Sequence, residues 1–287
     1  MVQLAILFNV LPLAFTASAA MVNRRQGTGA TQVVSLKSVE NLAVRPNGKI
    51  LATNMNAATL YIVDPVAKTS STALTVKGAS GLSGIGEYAP DKYALIGSNA
   101  IYNVDFTVTP PTATLVKAVA GAGTLNGLTV LNNETVLVAD AGKGAVYSFS
   151  MKTGDSAITI QDQTLVGPGF GIDGIRIFNG TLFYTNILKN SFYRVKIDAA
   201  GKATGPIQSL WTNLMGDDLC IGPNNKLYVN TNGKNSVVEV DPAASSPAAK
   251  QVATVQGSTS CGFGRTDSDK NTMYVGGAAG IFAVTIA

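Results

Sequence analysis

A strand–turn–strand unit recurs six times along this chain at nearly constant spacing. No other feature limits the possible folds so strongly. The units read SVENLAVRPNGKILATN (38–54), SGIGEYAPDKYALIGS (83–98), NGLTVLNNETVLVAD (126–140), DGIRIFNGTLFYTN (173–186), DDLCIGPNNKLYVN (217–230) and CGFGRTDSDKNTMYVGG (261–277). Each is a short apolar strand, a polar turn and a second apolar strand. A third strand follows every unit, as in TLYIVDP or SVVEVDP, and a less regular fourth comes after it, as in STALTVKG or KQVATVQG. Equivalent positions fall at Glu40, Ser83, Asn126, Asp173, Asp217 and Cys261, spaced 43, 43, 47, 44 and 44 residues apart. A period of about 40–45 residues carrying four strands is the signature of propeller blades. The expected fold is therefore all-β, a six-bladed β-propeller with four-stranded blades. The last unit ends at Ala287 without a fourth strand, and TQVVSLK (31–37) precedes the first with fourth-strand character. That N-terminal strand is expected to close the ring and remove the exposed sheet edges of an open array.

In a propeller the first strand of each blade lines the central channel, so equivalent residues at its start converge on the axis. Glu40, Asn126, Asp173 and Asp217 would bring three carboxylates and an amide to one opening, with Ser83 and Cys261 completing the ring. Carboxylates gathered in this way repel one another unless something compensates. Converging oxygen ligands suit one hard divalent cation, Ca²⁺ best of all. For any single residue, capping a strand end is the plainer explanation; four in register favour a site. The expected metal ligands are Glu40, Asp173, Asp217 and Asn126, with Asp173 and Asp217 also candidate bases. Arg176, two strand steps below Gly174, is a candidate ion-pair partner for Asp173 or Asp217.

The chain has no histidine, which excludes Ser-His-Asp and Cys-His catalysis and histidine-metal chemistry. Its 21 Lys and Arg are scattered rather than striped among aromatics, so nucleic acid is not an expected partner. MVQLAILFNVLPLAFTASAA (1–20) has a short apolar stretch followed by Ala17-Ser18-Ala19, as in a cleaved secretory leader. Residues 21–287 are then a single secreted propeller domain with no expected membrane association. Asn133-Glu134-Thr135 and Asn179-Gly180-Thr181 are glycosylation sequons in hairpin turns, at Asn133 and Asn179. Cys220 and Cys261 suit one disulfide if they align across their blades. Aligned instead through Phe263 and Leu219, they lie too far apart to bond and remain two free thiols.

ENLAVRPNGKILAT, LNGLTVLNNETVLVAD and DDLCIGPNNKLYV resemble the senescence-marker-protein/gluconolactonase family of six-bladed propellers. The resemblance implies one divalent metal at the top of the channel, held by Glu40, Asp173 and Asp217, with Asn126 as ligand or substrate contact. Asp173 stands where that family usually has Asn, and Asp218 where it usually has Gly. ENLAVRPNGKILAT and FGRTDSDKNTMYVGG are similar to a secreted fungal branch that includes hetero-Diels–Alderases. Those enzymes unite a quinone methide with a terpene alkene.

Loops at the channel mouth are expected to carry Phe170, Trp211, Leu214, Met215, Met55, Ile187 and Leu188. Some of these pack between blades; the others would form an apolar rim over a polar floor, the usual build of a small-molecule pocket. Three readings follow. The first is a cyclase acting on an apolar substrate, which needs no base. The second is a metal-dependent lactonase. The third is a non-enzymatic ligand-binding propeller.

Overall fold

The structure, a computed structural model, describes residues 29–286. The leader expected at 1–20 lies outside the described residues. Six four-stranded antiparallel sheets form the blades. Blades 1 to 5 span residues 39–75, 82–118, 125–161, 172–211 and 219–254, and blade 6 spans 260–285. Its fourth strand is Thr31–Ser35, which pairs antiparallel with Gly280–Thr285, the strand nearest the other end of the chain. The ring closes as the repeat predicts, with a closing strand two residues shorter than expected.

Strand burial explains why each blade forms. The second strands are almost entirely buried, as in Ile50–Asn54, Thr135–Asp140 and Leu227–Thr231. The fourth strands alternate weakly and are mostly exposed, as in Thr69–Thr75. A sheet buried on both faces favours continuous β-branched and aromatic runs, whereas an outer edge tolerates Thr, Ser and Lys. The buried residues gather in clusters between neighbouring blades. Ile96 and Ile101 of blade 2 meet Val136, Val138 and Phe149 of blade 3. Tyr274 and Ile281 of blade 6 meet Leu42, Ile50 and Val63 of blade 1 across the closure. Because the blades bury apolar faces only against each other, the inner strands are held fixed around the axis.

Candidate active site at the channel mouth

First strands begin, and second strands end, at one face of the ring, here called the mouth. At that end the first strands of blades 1 to 4 bulge. In blade 1 the pairing steps from Val39↔Asn54 to Leu42↔Ala52, so Glu40 and Asn41 stand together opposite Thr53. The same step occurs at Ser83-Gly84, Asn126-Gly127 and Asp173-Gly174. A bulge sets two residues against one and re-aims a side chain. Blade 5 does this with Asp217-Asp218 around Asn230, through Asp217 N–H to Asn230 O at 2.8 Å and Asn230 N–H to Asp218 O at 2.9 Å. In blade 6 the equivalent bond is Thr259 N–H to Gly276 O at 3.0 Å. Thr259, not Cys261, is therefore the sixth ring residue. The last hairpin has a longer turn, with 18 residues from Thr259 to Gly277 against 14 from Glu40 to Asn54, and the CGF/DGI likeness hid that extra length.

Glu40, Asp173 and Asp217 are brought together. Each is buried, and oxygens from the three lie within 4.8 Å of one another. Asn126 Nδ2 donates to Glu40 Oε1 at 3.1 Å, and Asn232 Nδ2 to Asp217 Oδ2 at 3.1 Å. Asp173 Oδ1 is buried without a hydrogen-bond partner. Burial pushes Glu40 up to about 7, against the hydrogen bond from Asn126 and reinforced by the charge of Asp218. Asp173 is pushed well above the usual carboxylate range by burial and then by the charges of Glu40 and Asp218. Burial and the charges of Asp173 and Glu40 do the same to Asp217. Burial and mutual repulsion thus favour protonation of the cluster, or compensation by a cation. Three carboxylates, one with an orphaned oxygen, and a neighbouring amide suit a hard divalent ion.

One step below the ring lies a second layer. Asn41 Nδ2 donates to Asp218 Oδ2 at 2.6 Å, and Arg176 Nη2 meets the same oxygen at 2.9 Å. Arg176 also donates to Leu219 O and Leu128 O, at 2.9 Å each. It approaches from the face opposite the mouth and pairs with Asp218, not with Asp173 or Asp217. Three of its five N–H donors hold the inner strands of blades 3 to 5, and none bonds Asp173 or Asp217. Asp218 is still pushed up, because burial outweighs the opposing Arg176 charge.

A cavity of about 490 Å³ opens beside the carboxylates, between blades 1 and 3. Met55, Leu82, Leu125 and Phe170 give it apolar walls; Ser80, Ser83, Ser98, Asn99, Thr124 and Asn126 supply polar groups, and Glu40 forms part of its floor. Met55, Phe170 and Asn126 thus lie where the sequence placed them. Trp211, Leu214 and Met215 do not line it. The Trp211 indole packs on Phe192 with ring centroids 4.5 Å apart and donates Nε1–H to Leu214 O at 2.9 Å, within the core of blades 4 and 5. Met215 lies against Gly233 of blade 5. Trp211 ends the fourth strand of blade 4, and Leu214 and Met215 lie in the loop leading on to Asp217; all three turn into the packing of blades 4 and 5 rather than toward the cavity. Ile187 and Leu188 sit on the outer rim in the turn after the second strand of blade 4.

Sequence reasoning missed the residues that hold the wall. The buried Asp140 carboxylate accepts N–H groups from Gly123, Thr124 and Lys143 at 2.8–2.9 Å. Asn99 accepts the Leu125 N–H at 3.1 Å and donates to Gly123 O at 3.0 Å. Their signal was a polar residue ending an apolar second strand, repeated at Asn54, Asp140 and Asn186.

Cys220 and Cys261 are bonded, with Cα atoms 5.5 Å apart. Cys261 pairs with Val275 and Leu219 with Val229, so Cys261 sits level with Leu219 and Cys220 one residue deeper. Asn133 and Asn179 occupy exposed hairpin tips on the face opposite the mouth.

With this geometry in view, comparison with known proteins is informative. No protein-family model matches the chain. A solved calcium-binding protein, regucalcin from Agrobacterium tumefaciens, superposes with a TM-score of 0.69 at 15% identity, covering 90% of this chain and 93% of its own. A structure provisionally described as a gluconolactonase gives 0.68 at 11% identity, covering 91% and 92%. The fold is that of the gluconolactonase-like six-bladed propellers. A fungal protein of Phoma sp., provisionally named a hetero-Diels–Alderase, is 28% identical over 295 residues, covering 83% of each chain. The resemblance to this superfamily and to its fungal branch stands.

Proposed function

We propose that the chain is a small-molecule enzyme that joins a quinone methide to a terpene alkene by hetero-Diels–Alder cycloaddition. The observation carrying this reading is the mouth cavity, apolar on Met55, Leu82, Leu125 and Phe170 and edged by hydroxyl and amide groups. The likeness to the Phoma protein supports it. In the cycloaddition the oxygen and terminal carbon of the heterodiene each bond to one alkene carbon. No proton moves and no group leaves, so a chain without histidine loses nothing. Holding two reactants in a near-attack geometry supplies several kcal/mol, on the order of 7–11 in the best cases. Met55, Leu82, Leu125 and Phe170 would bury the terpene and exclude water. Ser83 and Asn126 would orient the carbonyl oxygen and stabilise charge developing there. In this reading the mature protein is a glycosylated, secreted domain of residues 21–287, with glycans at Asn133 and Asn179.

The carboxylate cluster favours a second reading, lactone hydrolysis. Glu40, Asp173 and Asp217 would hold a divalent cation, with Asn126 beside them. The orphaned Asp173 Oδ1 fits such a group. A bound cation would polarise an ester carbonyl and lower the pKa of water. The purified protein decides between the two readings when given either a quinone methide generated in situ with a terpene alkene, or a panel of lactones. Stereoselective cyclisation that persists in a chelator is expected. Cation-dependent lactone hydrolysis, with cyclisation no more selective than in buffer, would overturn the first reading in favour of the second.

A further inference from the structure

The mouth face differs in charge from the rest of the surface. Its loops carry five exposed lysines: Lys37 between the closing strand and blade 1, Lys77 just after blade 1, Lys143 of blade 3, Lys189 of blade 4 and Lys234 of blade 5. The acids of these loops are mostly turned inward, since Glu40, Asp140 and Asp217 are buried. Asp162 is the exposed acid on this face among the described residues. None of the five lysines forms one of the ion pairs found among those residues. Most of those pairs, such as Arg45–Asp91, Lys92–Asp105 and Lys226–Asp241, occupy the opposite turns. The same rim exposes large apolar side chains on separate loops: Met55 at 51%, Leu188 at 42% and Val166 at 39%.

We propose that this rim is a docking face for an anionic lipid bilayer. Lysines without a carboxylate partner, two of them donating to loop carbonyls at Gly121 and Gln163, interleaved with isolated apolar side chains match a lipid interface, where cations sit among headgroups and apolar tips enter the acyl boundary. A protein partner fits less well, because interface cores exclude lysine and want contiguous apolar surface. Nucleic acid fits less well too, since among the described residues the rim has no arginine, and its aromatics Phe170 and Trp211 turn to the cavity and to the blade core. Docking would lay the cavity opening against the membrane, the phase in which an apolar substrate is concentrated. That delivery role rests on the proposed function; docking itself does not. It also replaces the expectation that the mature chain has no membrane association. The attachment is peripheral: among the described residues no helix is long and apolar enough to cross a membrane.

Co-sedimentation with phosphatidylcholine vesicles, with and without phosphatidylserine, tests the proposal independently of catalysis. Binding is expected only with phosphatidylserine and should weaken as salt rises. The double change Lys77→Glu/Lys189→Glu should lower the partition coefficient at least about tenfold. Val166→Asp/Leu188→Asp should lower it further. Neither pair lines the cavity, so melting temperature and turnover of soluble substrate should hold. The control Lys68→Glu/Lys202→Glu, on the opposite turns, should bind like the parent. Absent vesicle binding, equal loss in the control, or tight binding to heparin without binding to vesicles would each overturn the lipid assignment.

Discussion

Blades 2 to 4 and blades 5, 6 and 1 build the same turn into the channel with opposite solutions. In the first group the second bulge residue is glycine: Gly84, Gly127 and Gly174. In the second it is Ser260, Asn41 or Asp218. The glycines are needed because the next blade's inner strand passes through the space a side chain would fill. A Cβ on Gly127 would lie 2.1 Å from Asp173 O, and one on Gly174 would lie 2.4 Å from Asp218 Cα. In the other half the strands leave room for polar side chains, and Asn41 and Asp218 form a hydrogen-bonded layer tied to Arg176. One half of the ring is therefore set by backbone contact and the other by charge. The three carboxylates above straddle the division, with Asp173 on the glycine half and Glu40 and Asp217 on the polar half.

The largest expected effect breaks the backbone half. Gly127→Ala forces its neighbour's strand away and should cost about 4 kcal/mol or more, enough to prevent soluble expression or lower the melting temperature steeply. Asn41→Gly, the reverse change across the ring, should cost only about 1–2 kcal/mol. If the two changes cost the same in thermal melts, the halves are not held differently. Next is Arg176→Gln, which leaves Asp218 buried without its cation. About 3 kcal/mol of stability should be lost near neutral pH. Pairing it with Asp218→Asn should recover much of that loss, because the buried charge is then gone.

A smaller effect concerns the carboxylates shared by both halves. Glu40 rises from 4.5 toward about 7 on folding, so the folded state binds more protons than the unfolded state between those values. Without divalent cations, stability from this group is fully present below about pH 4.5 and is lost as pH rises through about 7. Added Ca²⁺ should therefore raise the melting temperature more at pH 8 than at pH 5. Equal gains at both pH values would remove the cation from the cluster. The smallest effect is Phe170→Ala. It should lower cyclisation selectivity about tenfold while changing stability little, since Phe170 is a half-buried loop residue at the cavity. Trp211→Ala should do the reverse, costing about 3 kcal/mol of packing with selectivity kept.

This contrast also explains what the sequence disclosed. The blade period and the convergence of Glu40, Asn126, Asp173 and Asp217 were legible, because position along a first strand determines position around the axis. The level of Cys261 was not, because a longer turn shifted register without altering the local motif. Trp211 misled because, as the last residue of an outer strand, it packs on Phe192 of the adjacent strand instead of facing the channel. Asp140 holds the loop that enters its own blade, and Asn99 holds the same loop from the preceding blade, contacts to backbone groups that no local motif marks.

The closing strand sets the order in which the molecule can be finished. Thr31 pairs with Ala283, so the closing strand waits for a partner made about 250 residues later. Blades 1 to 5 are built from neighbouring segments and can assemble as the chain emerges. Blade 6 cannot be completed until Gly280–Thr285 has been made. With so long a separation between partners, ring closure belongs to the slow class of folding events. The nascent chain must carry an unpaired edge at each side of the open ring for as long as the ribosome takes to reach Gly280.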